Sequence, residues 1–255
     1  MIGRLRPTGL SSRAGCFWVN PAGDRILSAQ NDQRGGLCTI QWFGIDNDQV
    51  RHLNEVHVAK RVDTALSDTT YILRITPDGK RGFICQRTIG NGSDFCNVMI
   101  ADLPSKRPAI TGVIKQVGDG LESFAFHPNG NMAVATCLEN TKNSLAVLDI
   151  ASTPPRLLYH LDAAGMSQGI EFTPEGDRLF LGSCSNGRIE VHDVVGDFGL
   201  RKNPKLIKVG SGHNSLSIGS RFHHTRSLQQ ADPLQVSRCQ RRARSETHTT
   251  SHISS

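Results

Sequence analysis

Short apolar runs alternate with polar turns along the chain, and one cassette of that pattern recurs. "SFAFHPNGNMAVATC", from Ser123 to Cys137, sets an apolar run, a Pro-x-Gly turn and a second apolar run in succession. Close copies start at Cys16 ("CFWVNPAGDRILSAQ"), Ile72 ("ILRITPDGKRGFICQ") and Gly169 ("GIEFTPEGDRLFLGSC"). The turn prolines are Pro21, Pro77, Pro128 and Pro174, spaced 56, 51 and 46 residues apart, each followed two residues later by glycine. Proline presets the first turn position and glycine accepts a positive φ further on. Each cassette therefore predicts a strand, a tight turn and a second strand. The flanking apolar residues alternate, as half-buried strands do.

A third apolar run follows each turn and ends on aspartate, at Asp46, Asp102, Asp149 and Asp193, which lie 25, 25, 21 and 19 residues after their prolines. These aspartates suit Asx-type turns at strand ends better than a shared carboxylate site. A fourth strand fits 157–161 and 205–210. Helical periodicity is absent. The fold class expected is all-β: a β-propeller of four-stranded antiparallel blades, since a repeat of this length holding four strands is one blade.

Four blades are complete, and others are partial. "VGSGHNSLSI" at 209–218 copies "VGDGLESFAF" at 117–126, so a fifth blade begins near 209. No Pro-x-Gly turn follows Ile218. The chain continues to Ser255 in a Ser/Thr/Arg/Gln-rich stretch that cannot bury enough apolar surface to order itself. The expectation is blades over 1–218 and a basic, disordered tail over 219–255, with an out-of-frame end as the alternative to a genuine tail. The first residues resemble the close of an earlier blade, which points to an incomplete ring.

Charge changes this picture little. The net charge is +6, but residues 220–255 alone hold six arginines against Asp232 and Glu246. The basicity belongs largely to the tail, and no specific nucleic-acid surface is read on the blades. No apolar run is long enough for a membrane span, and no signal peptide stands at Met1 as written. Seven cysteines occur with no Cys-x-x-Cys pair or metal-ligand spacing, so neither a metal nor a cofactor is expected. Cys85, Cys137 and Cys184 fall eight to ten residues after their prolines, and Ala29 takes that place in the first blade. This suits a small buried side chain between blades.

The runs 117–150 and 169–194, with Pro77-Asp78-Gly79 as the fullest turn, resemble blades of YVTN-type and lactonase-like (6-phosphogluconolactonase-like) β-propellers. The other turns depart from that pattern at Ala22, Asn129 and Glu175. The resemblance implies the fold strongly and the function weakly, because its members include hydrolases, an isomerase relative and surface-layer proteins. It also implies relatives that are often periplasmic or secreted.

Propellers bind ligands where the inner strands meet the channel. The residue six before each turn proline is Gly15, Tyr71, Glu122 or Gln168, and Asn214 matches in the fifth cassette beside His213. Tyr71, Glu122, Gln168, His213 and Asn214 are thus the candidate channel-mouth residues. Glu122 is the carboxylate among them and, with His213, a candidate acid/base pair for a lactone. Two readings stay open: a non-catalytic binding or scaffold propeller for a small molecule or protein, and a lactonase-like hydrolase or isomerase. The first is preferred, because each acidic candidate has a simpler structural explanation. Open blade edges also make self-association an expectation.

Overall fold

The computed structural model describes residues 13–31, 38–59, 72–87, 95–119, 121–137, 144–163, 169–183, 187–209, 216 and 218. The chain divides into two units, Met1–Ile218 and Gly219–Ser255, and every described residue belongs to the first. The tail and most of the fifth cassette lie outside the described residues.

Four sheets of four antiparallel strands follow one another. Blade 1 is β1 (Arg13–Val19), β2 (Arg25–Asn31), β3 (Cys38–Asp46) and β4 (Gln49–Ala59). Blade 2 is β5 (Leu73–Ile75), β6 (Arg81–Arg87), β7 (Phe95–Asp102) and β8 (Ile110–Asp119). Blade 3 is β9 (Leu121–Phe126), β10 (Met132–Cys137), β11 (Ser144–Asp149) and β12 (Arg156–Asp162). Blade 4 is β13 (Gly169–Phe172), β14 (Arg178–Ser183), β15 (Arg188–Val195) and β16 (Gly199–Lys208). The chain is an all-β propeller arc, with strands paired in chain order within each blade. The first strands neighbour one another from blade to blade (β1 with β5, β5 with β9, β9 with β13) and are therefore innermost. Among the described residues no helix is long and apolar enough to cross a membrane.

The turns form as their chemistry dictates. Gly23, Gly79, Gly130 and Gly176 have φ of 74°, 70°, 77° and 76°. The amide of each donates to the carbonyl of the residue before the proline, at 2.8–2.9 Å. A polar residue precedes each of these prolines, and in three of the turns it ties the turn closed. Asn20 Oδ1 accepts from the Arg25 amide, Thr76 Oγ1 from that of Arg81 and Thr173 Oγ1 from that of Arg178. The β3–β4 hairpin is tighter, with Asn47 and Asp48 both at positive φ (47° and 61°) in a two-residue loop.

The core is not within blades but between them. Leu27, Ile40 and Trp42 of blade 1 pack on Leu73, Ile84 and Met99 of blade 2. Phe83, Val98 and Ile100 of blade 2 pack on Phe124, Phe126 and Ala135 of blade 3. Val134, Leu145 and Val147 of blade 3 pack on Phe172, Leu179 and Leu181 of blade 4. Successive residues of a strand point to opposite faces. In β10, accordingly, Ala133, Ala135 and Cys137 face blade 2 while Met132 and Val134 face blade 4. Every residue of β10 is buried. The sequence pattern predicts half-buried strands; the inner ones instead alternate between two cores.

Hydrogen bonds stitch the seams. Trp42 Nε1 donates to the Asp102 carbonyl (3.0 Å), Arg81 Nη1 to that of Ile150 (2.7 Å) and Tyr159 to that of Phe198 (2.6 Å). At the turn end His127 Nε2 lies 2.9 Å from the Gly176 carbonyl. The cysteine expectation is corrected in register. Ala29 and Cys85 are equivalent, both eight residues after their prolines and facing the next blade. Cys137 lies one residue later in its cassette and so faces back toward blade 2, where it meets Cys85 and Cys96. Cys184 lies outside the described residues.

Candidate functional site

The inner strands β1, β5 and β13 carry chemistry on positions three residues before each turn proline: Trp18, Arg74 and Glu171, with buried Ala125 in blade 3. Arg74 Nη1 lies 3.0 Å from Glu171 Oε2, an ion pair between blades 2 and 4, which are not neighbours. The pair therefore reaches across the concave side of the arc, where the central channel runs. The Arg74 guanidinium also sits 5.1 Å from the centre of the Trp18 ring. Side-chain exposure is 17% for Arg74 and 29% for Glu171, so the pair is shielded from bulk water yet reachable. A cation against an aromatic face and beside a carboxylate is held by both contacts, more strongly the less water surrounds it.

Sequence reasoning places the ligand face six residues before each proline and misses this row. The signal was available: one residue per cassette at a fixed offset. Its members share no chemistry, and no common residue type marks the offset. Of the predicted mouth residues, Glu122 lies in β9 and is half-buried. Tyr71, Gln168, His213 and Asn214 lie outside the described residues, as does any Glu122–His213 pairing.

Glu122 borders the thiols of the seam between blades 2 and 3. Contact with Cys96 and burial push the Cys85 thiol well above its ordinary value, and the nearby Cys137 and Glu122 add to this. A thiol held protonated is an apolar filler, not a nucleophile. The packing is tight: a Cβ on Gly118 would come within 2.5 Å of Cys137 Sγ. Among the described residues no group of three His, Cys, Asp or Glu is placed to hold a metal.

The strand-end aspartates are not one set. Asp149 makes the expected turn, its Oδ1 accepting from the amides of Ala151 (3.2 Å) and Ser152 (3.0 Å). Burial opposes its charge, but these bonds and Arg156 outweigh that and hold the carboxyl below its ordinary value. Asp193 instead accepts from the side chain of Asn203. A second feature escaped the sequence reading, in "IEVHD". Glu190 and His192 are both buried on β15, with Lys202 Nζ 2.7 Å from Glu190 Oε1 and His192 Nε2 3.6 Å from Glu190 Oε2. Burial works against the Glu190 charge, but His192 and Lys202 prevail and hold its carboxyl below the ordinary value.

No known protein family matches the sequence. No curated protein matches it either. Solved structures do. A putative 6-phosphogluconolactonase from Bacteroides fragilis superposes with a TM-score of 0.61 at 15% identity, covering 78% of this chain and 55% of that one. The periplasmic gluconolactonase of Pseudomonas aeruginosa gives 0.57 at 14% identity, over 75% of this chain and 56% of that one. Hydrazine synthase from Kuenenia stuttgartiensis gives 0.56 at 16% identity, over 78% and 63%. The chain thus has the lactonase-like propeller fold and spans little more than half the length of the lactonase-like structures it matches.

Proposed function

We propose that the chain is a non-catalytic binding propeller whose ligand lies against the inner strands, over Trp18, Arg74 and Glu171. The observation that supports this reading is the partly exposed ion pair joining two non-neighbouring inner strands beside an aromatic face. An arginine fork suits a carboxylate or phosphate, a glutamate accepts from hydroxyls, and an indole face covers the apolar side of a ring. The ligand class is a small hydroxylated anion. The fold itself is shared by structures named for different activities, so the residues carry the argument. Titration calorimetry with gluconate and 6-phosphogluconate tests it. Arg74→Ala and Trp18→Ala each weaken binding at least about tenfold, the loss of one charge-assisted or stacking contact, while Glu122→Gln leaves it unchanged. Equal affinity in all four proteins refutes the site.

A second reading, a lactonase-like hydrolase, is favoured by the names of several structural neighbours and by Glu122 at the start of an inner strand. Here Glu122 serves as general acid/base on a sugar lactone. Gluconolactone hydrolysis that vanishes in Glu122→Gln supports this reading; hydrolysis absent from the wild type, or surviving the change, ends it.

A further inference from the structure

We propose that Glu171 sets the specificity of the channel: it occupies Arg74 while the site is empty and gives way only to an anion with a hydroxyl beside its acid group, a 2-hydroxy acid. The inference rests on the channel reading above and narrows its ligand class. Leu73 and Ile75 are buried on either side of Arg74, as Ile170 and Phe172 are on either side of Glu171. Both strands are therefore fixed, and the two side chains are what can move. Ala125 holds this place in the blade between them and is too small to keep them apart. Their contact is a single one, Arg74 Nη1 to Glu171 Oε2 at 3.0 Å. Among the described residues it is the one ion pair that either side chain makes. Arg74 is held in addition against the Trp18 ring, so Glu171, the more exposed partner, is the mobile member of the pair.

An arginine fork takes a carboxylate through two parallel hydrogen bonds, so an incoming acid group displaces the single contact of Glu171. Two carboxylates do not share one guanidinium without repelling each other at close range. The displaced Glu171 carboxylate is then shielded from water and without a donor, which is unfavourable. A hydroxyl on the ligand removes that cost by donating to it. Glu171 Oε2 starts 3.0 Å from the arginine, so the hydroxyl has to sit on the carbon next to the acid group. An acid without that hydroxyl strands the glutamate. It is rejected in the way that a site built around a hydrogen bond rejects the analogue lacking it. Trp18 keeps Arg74 in place through the exchange.

Titration calorimetry on the full chain with gluconate and 2-deoxygluconate, which differ in that one hydroxyl, tests the exchange. The wild type should prefer gluconate at least about tenfold, the loss that follows when a charged group misses its hydrogen bond. Glu171→Ala should erase the preference, chiefly because 2-deoxygluconate binds more tightly once no carboxylate competes for Arg74. Glu171→Gln keeps the shape of the side chain without its charge and should tighten 2-deoxygluconate as well, so the result does not hang on the alanine variant. A residue that only shaped the site would, when replaced, weaken both ligands equally. That outcome, a preference that survives in both variants, or a wild type indifferent to the hydroxyl overturns the proposal. Arg74→Ala separates two kinds of failure. If it leaves gluconate affinity unchanged, or the wild type binds no gluconate, the channel reading falls and this inference with it. If it weakens gluconate while the preference survives in the Glu171 variants, this inference alone falls.

Discussion

Gly130 and Gly176 share a backbone angle but not their surroundings. A Cβ on Gly130 meets nothing within 4 Å, whereas one on Gly176 comes within 2.5 Å of His127 Nε2. Gly130→Ala should cost only the left-handed backbone penalty, about 1–2 kcal/mol. Gly176→Ala should cost more, because it also displaces the His127 ring from the seam between blades 3 and 4; denaturant melts of the pair check the order. The turns were legible because glycine and proline state their backbone requirement locally. Arg74 and Glu171 were not, because their meaning depends on two blades 97 residues apart closing on one channel. Asp149 has a pH consequence. Its folded carboxyl titrates below the ordinary 3.8, so its stabilisation is present above that pH and is lost as the pH falls through the lower folded value. The gap in thermal midpoint between wild type and Asp149→Asn should shrink on acidifying below 3.8; a constant gap refutes this.

At the scale of the element, the strands nearest the axis read clearly and the outermost ones did not. β4, "QVRHLNEVHVA", and β8, "ITGVIKQVGD", were not placed from sequence, because an outer strand mixes polar residues into both faces. β10, read as half-buried, is closed on both sides because the sheet is sandwiched between blades. β15 carries the opposite surprise, a glutamate and a histidine inside a seam. Glu190 keeps its charge there through Lys202, itself half exposed. Lys202→Met should destabilise by about 1–3 kcal/mol, the cost of leaving a buried charged group unsatisfied. Adding Glu190→Leu should recover most of the loss, since the stranded charge then goes too. Urea midpoints of the single and double variants measure both statements; a double variant no more stable than Lys202→Met contradicts the account.

Across the whole molecule, stability resides in seams, and each seam depends on both of its blades. Phe83→Ala empties a fully buried site between blades 2 and 3 and should cost about 3–5 kcal/mol. Phe180→Ala, at the same cassette position but only half-buried, should cost less; a loss equal to that of Phe83→Ala in urea melts would contradict this. That the arc is partial was legible from the count of cassettes. That β10 is buried on both faces was not, because the facing of each residue follows from strand register, not composition. The first seam and the channel also hold the two tryptophans. Trp42 is 1% exposed with its indole N–H bonded, and Trp18 is 40% exposed beneath a guanidinium. The unaltered chain thus carries two optical probes. Trp42 emits blue-shifted light that acrylamide does not reach until blades 1 and 2 part, while Trp18 emits to the red and is quenched unless the channel is filled.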